Sequence, residues 1–504
     1  MSHSQTFAAK LIAALYNNGV KNFYLAPGSR SQALAIAANQ LAEAGLSDLT
    51  IRLDERSMGF MALGRSLAEK LPVAVITTSG TAVANLHPAV LEAHHSGVPI
   101  IVLTADRPAR LRGLGANQTT NQVGIFADAL RAMIDVSVPE KNEFDPDGLA
   151  KQAVAIAMGA KDSERPGPVQ LNLQFQEPLS SAEPSAVEFS KTPILPGLEL
   201  SITELEVKVS THAVVVAGSG ATAAAAEFAL AANLPLFAEP TSGARFSDNL
   251  VVDYPTKLKT ELAKEVDQVF VFGKPTLSRA ILKLISGSEV WVEVSRQHGL
   301  FNVFQNAQGF ADRLISMGSA PTDWLEKWRG EAVAFSSRGE LARAVWNATA
   351  PGEQILFGAS QIIRDAEASL PAKEIIAFAN RGLAGIDGTV STALGLAQSG
   401  RKTRALLGDL TLLHDSSALN LSGLGNLDVQ LVVGNDHGGA IFRNLEVASS
   451  ISEHQLEKLF LTPQQVDLHA LAAAYGWNYL RVENIRDLEQ AMVSVGPWLI
   501  EYLL

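Results

Sequence analysis

The sequence predicts an α/β protein with three doubly wound parallel sheets, and three observations support this fold class. Short apolar runs rich in Val, Ile and Leu recur along the chain, a glycine-containing turn follows many of them, and alanine-rich helical stretches separate them. Apolar strands that alternate with helices are typical of parallel sheets covered on both faces. Ligands of such sheets bind beyond the carboxyl ends of the strands, where we therefore expect the functional residues.

The elements divide into consecutive ranges. Residues 1–180 form the first α/β domain, which contains the strand-turn-helix stretches "KNFYLAPGSRS" and "VAVITTSGTAVANLHPAV". The Pro- and Ser-rich residues 181–196 lack periodicity and are predicted to be a linker. Residues 197–330, with "HAVVVAGSGATAAAAEFAL", form a central α/β domain. Residues 331–504, with "TRALLGDL" and "VQLVVGND", form the third domain.

The composition excludes several classes of function. The chain has 504 residues, of which 47% are hydrophobic, and a net charge of −12, which argues against binding nucleic acid or an anionic membrane surface. The absence of cysteine excludes disulfides and thiolate chemistry and fits a cytoplasmic location. No apolar run reaches the roughly 20 residues that cross a bilayer. Phe7, Leu11 and Leu15 at helical spacing predict an amphipathic first helix without export.

Two motifs have simpler interpretations than the functional ones. Gly218-Ser-Gly220 after a Val-rich strand resembles the start of a dinucleotide-binding turn, but any strand-to-helix turn favours glycine, and we favour a tight turn. His87, His94 and His95 lie on one predicted helix and could suggest zinc. We favour surface or packing histidines because no carboxylate is suitably placed beside them.

Two aspartates follow neighbouring apolar strands. Asp409 ends "RALLGD" and Asp436 ends "QLVVGND", with a separation of 27 residues that suits a helix and a return. Both carboxylates are then expected at one edge of the sheet, where they and the Gly438 carbonyl would hold Mg2+, with Mn2+ as the alternative ion. The following glycines would allow phosphate groups to approach the main chain.

This pattern resembles the binding motif of thiamine diphosphate enzymes. Here the motif has Leu410 where a glycine is usual and Asp436 where asparagine is commoner, so one extra negative charge lies beside the metal. Asp54-Glu55-Arg56 ends a predicted strand of the first domain, and Glu55 matches the family's catalytic glutamate, which bonds to N1′ of the aminopyrimidine ring. A surface ion pair of Glu55 with Arg56 is the simpler alternative. The resemblance implies a thiamine diphosphate-binding fold and these cofactor-binding residues: Glu55, Gly80, Ile386, Gly408, Asp409, Asp436, Gly438, Gly439 and Ile441.

Further stretches narrow the resemblance. "LAPGSRS", "DERSMGF", "LTADRP", "GANQTTNQ", "NRGLAGIDGTVSTALG" and "GGAIF" are similar to the 2-succinyl-5-enolpyruvyl-6-hydroxy-3-cyclohexene-1-carboxylate (SEPHCHC) synthases of menaquinone biosynthesis. This resemblance implies a pyrimidine-binding first domain, a diphosphate-binding third domain and a central domain without cofactor. It also implies a transferase that decarboxylates 2-oxoglutarate and adds the resulting succinyl carbanion to isochorismate, giving SEPHCHC and CO2.

Such an enzyme must bind the carboxylates of both 2-oxoglutarate and isochorismate. Arginines that converge on one cleft are suited to this, because the guanidinium is planar and always charged. For isochorismate the resemblance implies Arg30, Arg107 and Gln118, and Ser29 and Asn117 beside them are further candidates for substrate binding. For the succinyl group it implies Ser360, Arg364 and Arg381, with Arg279 from the central domain as a further substrate residue. Ile386 would support the bent cofactor, and Ile441, Phe442 and Leu445 would line the cleft, although core packing is the alternative for all four.

In this superfamily the active site is shared between subunits, so the resemblance implies an obligate homodimer, and a homotetramer of two dimers. Three other functions remain open. A pyruvate-using acetolactate synthase or decarboxylase has the same cofactor but needs fewer arginines. A flavin or nicotinamide oxidoreductase would use Gly218-Ser-Gly220, and a non-catalytic homologue would not need a complete charged site.

Overall fold

The structure is a computed structural model of the 504-residue chain, and it describes residues 2–138, 145–160, 165–181, 189, 193–195, 202–329 and 334–504. The chain divides into two compact units. The first unit is Met1–Leu200 with Ser391–Ser399 and Asn420–Gly425, and the second unit contains the remainder. The predicted linker lies largely outside the described residues, so its bounds and the domain limits stay predictions.

The first unit contains a parallel sheet of six strands. The order across the sheet is β2-β1-β3-β4-β6-β5, and every pairing is parallel. The strands are β1 (Asn22–Leu25), β2 (Asp48–Ile51), β3 (Val73–Thr77), β4 (Ile100–Asp106), β5 (Ala132–Ser137) and β6 (Val169–Gln174). Strands β3 and β4 lie inside the sheet and are buried at every position, which explains why they read as continuous apolar runs.

Helices of the first unit bury their apolar faces against this sheet. They are α1 (His3–Asn17), α2 (Gln32–Glu43), α3 (Glu55–Glu69), α4 (Thr81–Asn85), α5 (His87–Ser96) and α6 (Pro146–Ala157). Phe7, Leu11 and Leu15 of α1 are buried in one core cluster, so the first predicted helix is confirmed. Short 3-10 helices occur at Ala109–Leu111 and Ala127–Ala129.

The second unit contains two larger parallel sheets. One has five strands in the order β12-β11-β10-β8-β9, and β7 (Glu204–Lys208) pairs with β13 (Arg313–Met317) beside it. Its strands are β8 (Ala213–Ala217), β9 (Leu236–Ala238), β10 (Gln268–Phe272), β11 (Glu289–Glu293) and β12 (Ala307–Ala311). The helices of this part are α7 (Ala223–Ala231), α8 (Tyr254–Lys257), α9 (Arg279–Ser286) and α10 (Thr322–Arg329), with a 3-10 helix at Glu261–Glu265.

The other sheet has six strands in the order β15-β14-β16-β17-β19-β18. They are β14 (Gln354–Phe357), β15 (Ile376–Phe378), β16 (Thr403–Gly408), β17 (Val429–Asn435), β18 (Asn478–Val482) and β19 (Trp498–Leu503). The helices are α11 (Ser337–Ala348), α12 (Gln361–Ser369), α13 (Thr389–Ala397), α14 (Asp409–His414), α15 (Glu453–Leu456), α16 (Leu468–Ala474) and α17 (Ile485–Ala491). Residues 391–397 of α13 and the two residues after the helix belong to the first unit. Shorter 3-10 helices lie at Ser416–Leu419, Ala440–Asn444 and Glu446–Ser449, and a π-helical turn lies at Glu457–Leu461.

Three parallel sheets with helices between their strands confirm the predicted fold class. Within the described residues, no helix combines the length and apolar character that a bilayer span requires. Helix α7 and the turn before it test the dinucleotide motif. A Cβ at Gly218 would lie 2.2 Å from the Pro275 nitrogen, and one at Gly220 would lie 2.5 Å from the His298 ring. Protein atoms therefore fill the space beside both glycines, which supports the tight-turn interpretation.

Candidate active site

The two predicted aspartates lie together at the carboxyl edge of the last sheet. Strands β16 and β17 are parallel neighbours, with Gly408 paired to Gly434. Asp409 is the first residue of α14 and is buried, and Asp436 directly follows β17. The pKa of Asp409 is raised to about 6, chiefly by burial and in part by the charge of Asp436, although backbone N–H groups of Leu410 and Gly438 act in the opposite direction. The structure thus brings Asp409, Asp436 and Gly438 together as the spacing predicts.

The glycines of this loop are required by close packing. Gly438 has a φ of +136°, and a Cβ there would lie 2.4 Å from the Leu461 carbonyl oxygen. A Cβ at Gly439 would lie 2.9 Å from the carbonyl oxygen of Phe460. At Gly408, in contrast, an added Cβ would meet nothing within 4 Å, so open space borders the main chain beside Asp409.

One residue of this site was not expected from the sequence. Arg338 on α11 donates from Nε and Nη2 to Oδ2 of Asp436, at 3.1 and 2.6 Å. The two residues lie 98 positions apart in the chain, and no local pattern links them. The N-terminal turn of α11 begins with the Ser336 cap, which accepts from the Gly339 N–H at 3.1 Å.

These residues fit a hard divalent cation that carries a diphosphate. Two carboxylates and main-chain carbonyls are the oxygen donors that Mg2+ and Mn2+ take, and a metal that keeps open positions can share phosphate oxygens. The open space at Gly408 lies on the same strand end as Asp409. Across the described part of the chain, no cluster of three or more His, Cys, Asp or Glu side chains has metal-binding geometry, so a metal here would need ligands beyond the side chains.

Apolar residues follow the glycine pair. Ile441 and Phe442 lie half-buried on the 3-10 helix Ala440–Asn444, and Leu445 follows it. The Phe442 ring centroid lies 5.3 Å from that of Phe460. Ile386 is also half-buried, in the loop before α13, where its carbonyl accepts from the Thr389 hydroxyl at 3.1 Å.

Ser360 and Arg364 are joined at the start of α12. Ser360 caps the helix by accepting from the Ile362 N–H at 3.2 Å, and its own carbonyl accepts from Nη1 of Arg364 at 3.0 Å. The predicted proximity on one helix face is therefore present. Both side chains are half-buried, so neither is a plain surface residue.

Arg381 is buried and is held by Thr276, which lies between β10 and α9 of the same unit. Its Nη2 donates to the carbonyl and hydroxyl of Thr276, at 3.0 and 3.1 Å. The backbone N–H groups of Thr276 and Leu277 donate to Glu239, at 2.6 and 2.8 Å, and burial raises the pKa of Glu239 to about 6. Arg279 is exposed at the first position of α9.

In the first unit, Glu55 opens a helix. Strand β2 ends at Ile51, not at Glu55, because Asp54 caps α3 by accepting from the N–H groups of Arg56 and Ser57, at 2.9 and 3.2 Å. The carboxylate of Glu55 accepts from Nδ2 of Asn85 at 3.2 Å. Asn85 was not expected at this point.

Two arginines lie near each other at the strand ends of the first sheet. Arg107 follows β4 directly, and its Nη1 donates to the Ser79 hydroxyl at 2.6 Å and to the Gln118 carbonyl at 2.5 Å. The side chain of Gln118 in turn donates to the Ser79 carbonyl at 2.9 Å. Arg30 is half-buried, and burial followed by the charge of Arg107 lowers the pKa of its guanidinium. Two guanidiniums that repel each other in a partly buried place would be stabilised by an anionic ligand.

A glycine, Gly80, directly follows Ser79, to which Arg107 donates. Gly80 has a φ of +86°, its N–H donates to Gln122 at 3.0 Å, and a Cβ there would lie 3.0 Å from Cγ of Gln118. Asn117 and Ser29 are exposed. Ser79 and Gln122 were not predicted, although the polar "TTSG" after an apolar strand is a signal that could have identified Ser79.

The histidines of α5 pack against one another and their surroundings. The rings of His94 and His95 lie 4.9 Å apart, and burial lowers the pKa of His94 to about 4. His87 contacts the Phe126 ring at 5.6 Å. These contacts support the packing interpretation.

Comparison with protein families agrees with this site. The chain matches the thiamine pyrophosphate enzyme N-terminal TPP binding domain at residues 5–125, and the thiamine pyrophosphate enzyme C-terminal TPP binding domain at residues 366–501. The matches include Glu55 in the first range and both aspartates in the second. The fold and the site thus define a thiamine pyrophosphate-dependent enzyme.

Named relatives narrow the class. The 2-succinyl-5-enolpyruvyl-6-hydroxy-3-cyclohexene-1-carboxylate synthase of Leifsonia xyli subsp. xyli is 41% identical over 96% of this chain and 93% of its own length. The enzymes of that name from Clavibacter michiganensis and Mycobacterium avium are 38% and 36% identical, over 98% and 99% of this chain and 95% of their own lengths. The chain belongs to the SEPHCHC synthase family, as its sequence motifs suggest.

Proposed function

We propose that the enzyme decarboxylates 2-oxoglutarate and adds the remaining four-carbon unit to isochorismate, giving SEPHCHC and CO2 for menaquinone biosynthesis. The observation that carries this proposal is the pair Arg30 and Arg107, two neighbouring guanidiniums; among the described residues, the one ion pair that either makes is that of Arg30 with Glu177. Glu177 lies 3.8 Å from Arg30 but is 79% exposed, so it screens that charge only weakly. A dicarboxylate acceptor would satisfy both arginines.

Thiamine diphosphate, when bound, supplies the nucleophilic carbon and the electron sink for the decarboxylation. Asp409, Asp436 and the Gly438 carbonyl would hold Mg2+ or Mn2+, and the open main chain at Gly408 leaves room for the diphosphate. Glu55 would hold a proton at N1′ of the aminopyrimidine ring. A charge-assisted hydrogen bond of this kind contributes about 1.5–3 kcal/mol.

Substrate recognition falls to polar groups at strand and helix ends. Arg30 and Arg107 would bind the isochorismate carboxylates, because a planar guanidinium forms two parallel bonds to a carboxylate. Ser29, Asn117 and Gln118 would add neutral hydrogen bonds from the adjoining loops. Gln118 is well placed for this, since its carbonyl already fixes Arg107.

The second carboxylate site would lie in the second unit. Ser360, Arg364 and Arg381 would bind the distal carboxylate of 2-oxoglutarate, with Arg279 as an outer contact. Ile386, Ile441, Phe442 and Leu445 would exclude water from the reacting carbons. Exclusion of water matters because the carbon left after CO2 departs must not be protonated before isochorismate is attacked.

We further propose that the enzyme is a cytoplasmic homodimer with shared active sites, and a homotetramer of two such dimers. The exposure of Ile51 and Leu53, at 50% and 81%, next to Glu55 supports a covering subunit there.

The direct test supplies isochorismate, 2-oxoglutarate, Mg2+ and thiamine diphosphate to the purified protein and follows the loss of isochorismate together with release of CO2. We expect both to occur in equal amounts. The control replaces 2-oxoglutarate by pyruvate, which lacks the distal carboxylate, and we expect little turnover. Equal or faster turnover with pyruvate would refute the proposed donor and favour an acetolactate-type enzyme.

A further inference from the structure

The candidate metal site contains more negative charge than a divalent cation with a diphosphate requires. Asp409 and Asp436 together balance the two charges of Mg2+, and a diphosphate then adds anionic oxygens at the same place. Without a further cation, the second carboxylate would repel the diphosphate in a partly buried site. Asp436 has a side-chain exposure of 16%, so solvent screens it only in part.

Arg338 supplies a positive charge where it is needed. Its guanidinium, 22% exposed, binds Asp436 through two nitrogens at 2.6 and 3.1 Å. Charge-assisted bonds of this length are the stronger class of protein hydrogen bond. Both are made to the same oxygen, Oδ2, and Oδ1 of Asp436 accepts no hydrogen bond from the described part of the chain.

We propose that Arg338 neutralises and orients Asp436, so that Oδ1 is left for the cation and the pair adds no net charge beside the diphosphate. Arg338 is then a positioning residue for metal and cofactor uptake. This inference rests on the proposed metal site but not on the proposed substrates.

Among the described residues, Asp365 is a second acidic group near Arg338. Asp365 on α12 accepts from the Ser336 hydroxyl at 3.2 Å, and the charges of Arg338 and Arg364 act on it, while burial raises its pKa. Asp365 makes no hydrogen bond to Arg338 within the described residues, whereas Asp436 makes two. Because Asp365 is unchanged in every variant below, its effect is common to all of them.

The test is a double-mutant cycle on cofactor uptake. The full-length protein is first depleted of metal and then supplied with a fixed, saturating Mg2+ concentration. Thiamine diphosphate is titrated into it calorimetrically for wild type, Arg338→Met, Asp436→Asn and the double variant. Arg338→Met leaves an uncompensated carboxylate, and Asp436→Asn leaves an uncompensated guanidinium beside the cation. We expect each single variant to bind about tenfold or more weakly, and the double variant, whose net charge equals that of wild type, to lie within about threefold of wild type.

Two further variants keep the test decisive. Arg338→Lys retains the charge without the planar fork, and we expect an affinity between those of wild type and Arg338→Met; it also covers the case in which Arg338→Met does not fold. Arg343→Met removes another guanidinium of α11, one that binds the Ser369 carbonyl and not Asp436, and should leave uptake unchanged. Circular dichroism and thermal melting establish that each variant is folded.

The outcomes separate cleanly. A double variant whose loss of binding free energy equals the sum of the two single losses would overturn the inference, because the pair would then be uncoupled. Tighter binding by Arg338→Met would also overturn it, since Arg338 would then compete with the cation for Asp436. If wild type itself takes up no thiamine diphosphate, the proposed metal site fails, and if uptake is normal without coupling, only the role of Arg338 fails.

Discussion

Replacing Gly438 by alanine tests whether the loop after β17 must adopt its observed conformation. The residue has a φ of +136°, and the added Cβ would lie 2.4 Å from the Leu461 carbonyl oxygen, against the 3.4–4 Å of an ordinary contact. Backbone strain of this kind costs roughly 1–3 kcal/mol. Overpacking costs a further 1–3 kcal/mol or so.

The loop can relieve this strain only by moving, and its movement would withdraw the Gly438 N–H from Asp409. We expect Gly438→Ala to weaken thiamine diphosphate uptake at saturating Mg2+ by at least about tenfold, which corresponds to roughly 1.4 kcal/mol. Isothermal titration calorimetry measures this directly, and a thermal melt reports how much strain remains in the folded protein.

A matched control separates positive φ from the steric clash. Gly476 has a φ of +76° and nothing within 4 Å of an added Cβ. Gly476→Ala should lower the melting temperature through strain of about 1–2 kcal/mol while cofactor affinity stays within about twofold. Normal uptake by Gly438→Ala, or equal losses in both variants, would refute the reasoning.

Three further predictions concern charge and assembly. Because the pKa of Asp409 is raised from 3.8 to about 6, metal-free wild type should lose stability relative to Asp409→Asn as the pH rises from 3.8 through 6. The affinity for Mg2+ should fall as the pH drops below about 6, because the protonated carboxyl group cannot bind the ion. Melting curves and calorimetry across this range test both predictions, and a flat pH profile would contradict them. In Arg107→Lys, the lysine cannot bridge Ser79 and Gln118 as the guanidinium does. The kcat/KM for isochorismate should therefore fall about tenfold or more while cofactor affinity is unchanged. A parallel loss of cofactor binding would argue for a structural role of Arg107. Glu55→Gln and Asp409→Ala proteins, each inactive alone, should regain some activity when mixed and reassembled, and no activity despite verified subunit exchange would exclude a shared site.

The sequence was sufficient for the acidic pair because of the regularity of parallel sheets. Apolar runs identified β16 and β17, and neighbouring parallel strands carry their following residues to one edge. Asp409 and Asp436 could therefore be placed together without a structure. For Glu55 the sequence predicts a strand end, whereas β2 stops at Ile51 and the Asp54 cap makes Asp-Glu-Arg the start of a helix.

Long-range partners could not be predicted in the same way. Arg338 on α11 contacts Asp436, 98 residues later, and Thr276, between β10 and α9, contacts Arg381, 105 residues later. Such contacts depend on how helices and sheets pack, which no periodicity encodes. For Arg279 the sequence predicts a helical position, which α9 confirms, but it does not predict that the side chain is exposed.

The most direct measurement is calorimetric uptake of thiamine diphosphate by the metal-depleted chain, with and without added Mg2+. If Asp409 and Asp436 hold the cation that binds the diphosphate, wild type should bind one cofactor per chain only when Mg2+ is present, and Asp409→Ala should bind none under the same conditions. Uptake that is equally strong in excess chelator, or absent from folded wild type at saturating Mg2+, would contradict the central claim.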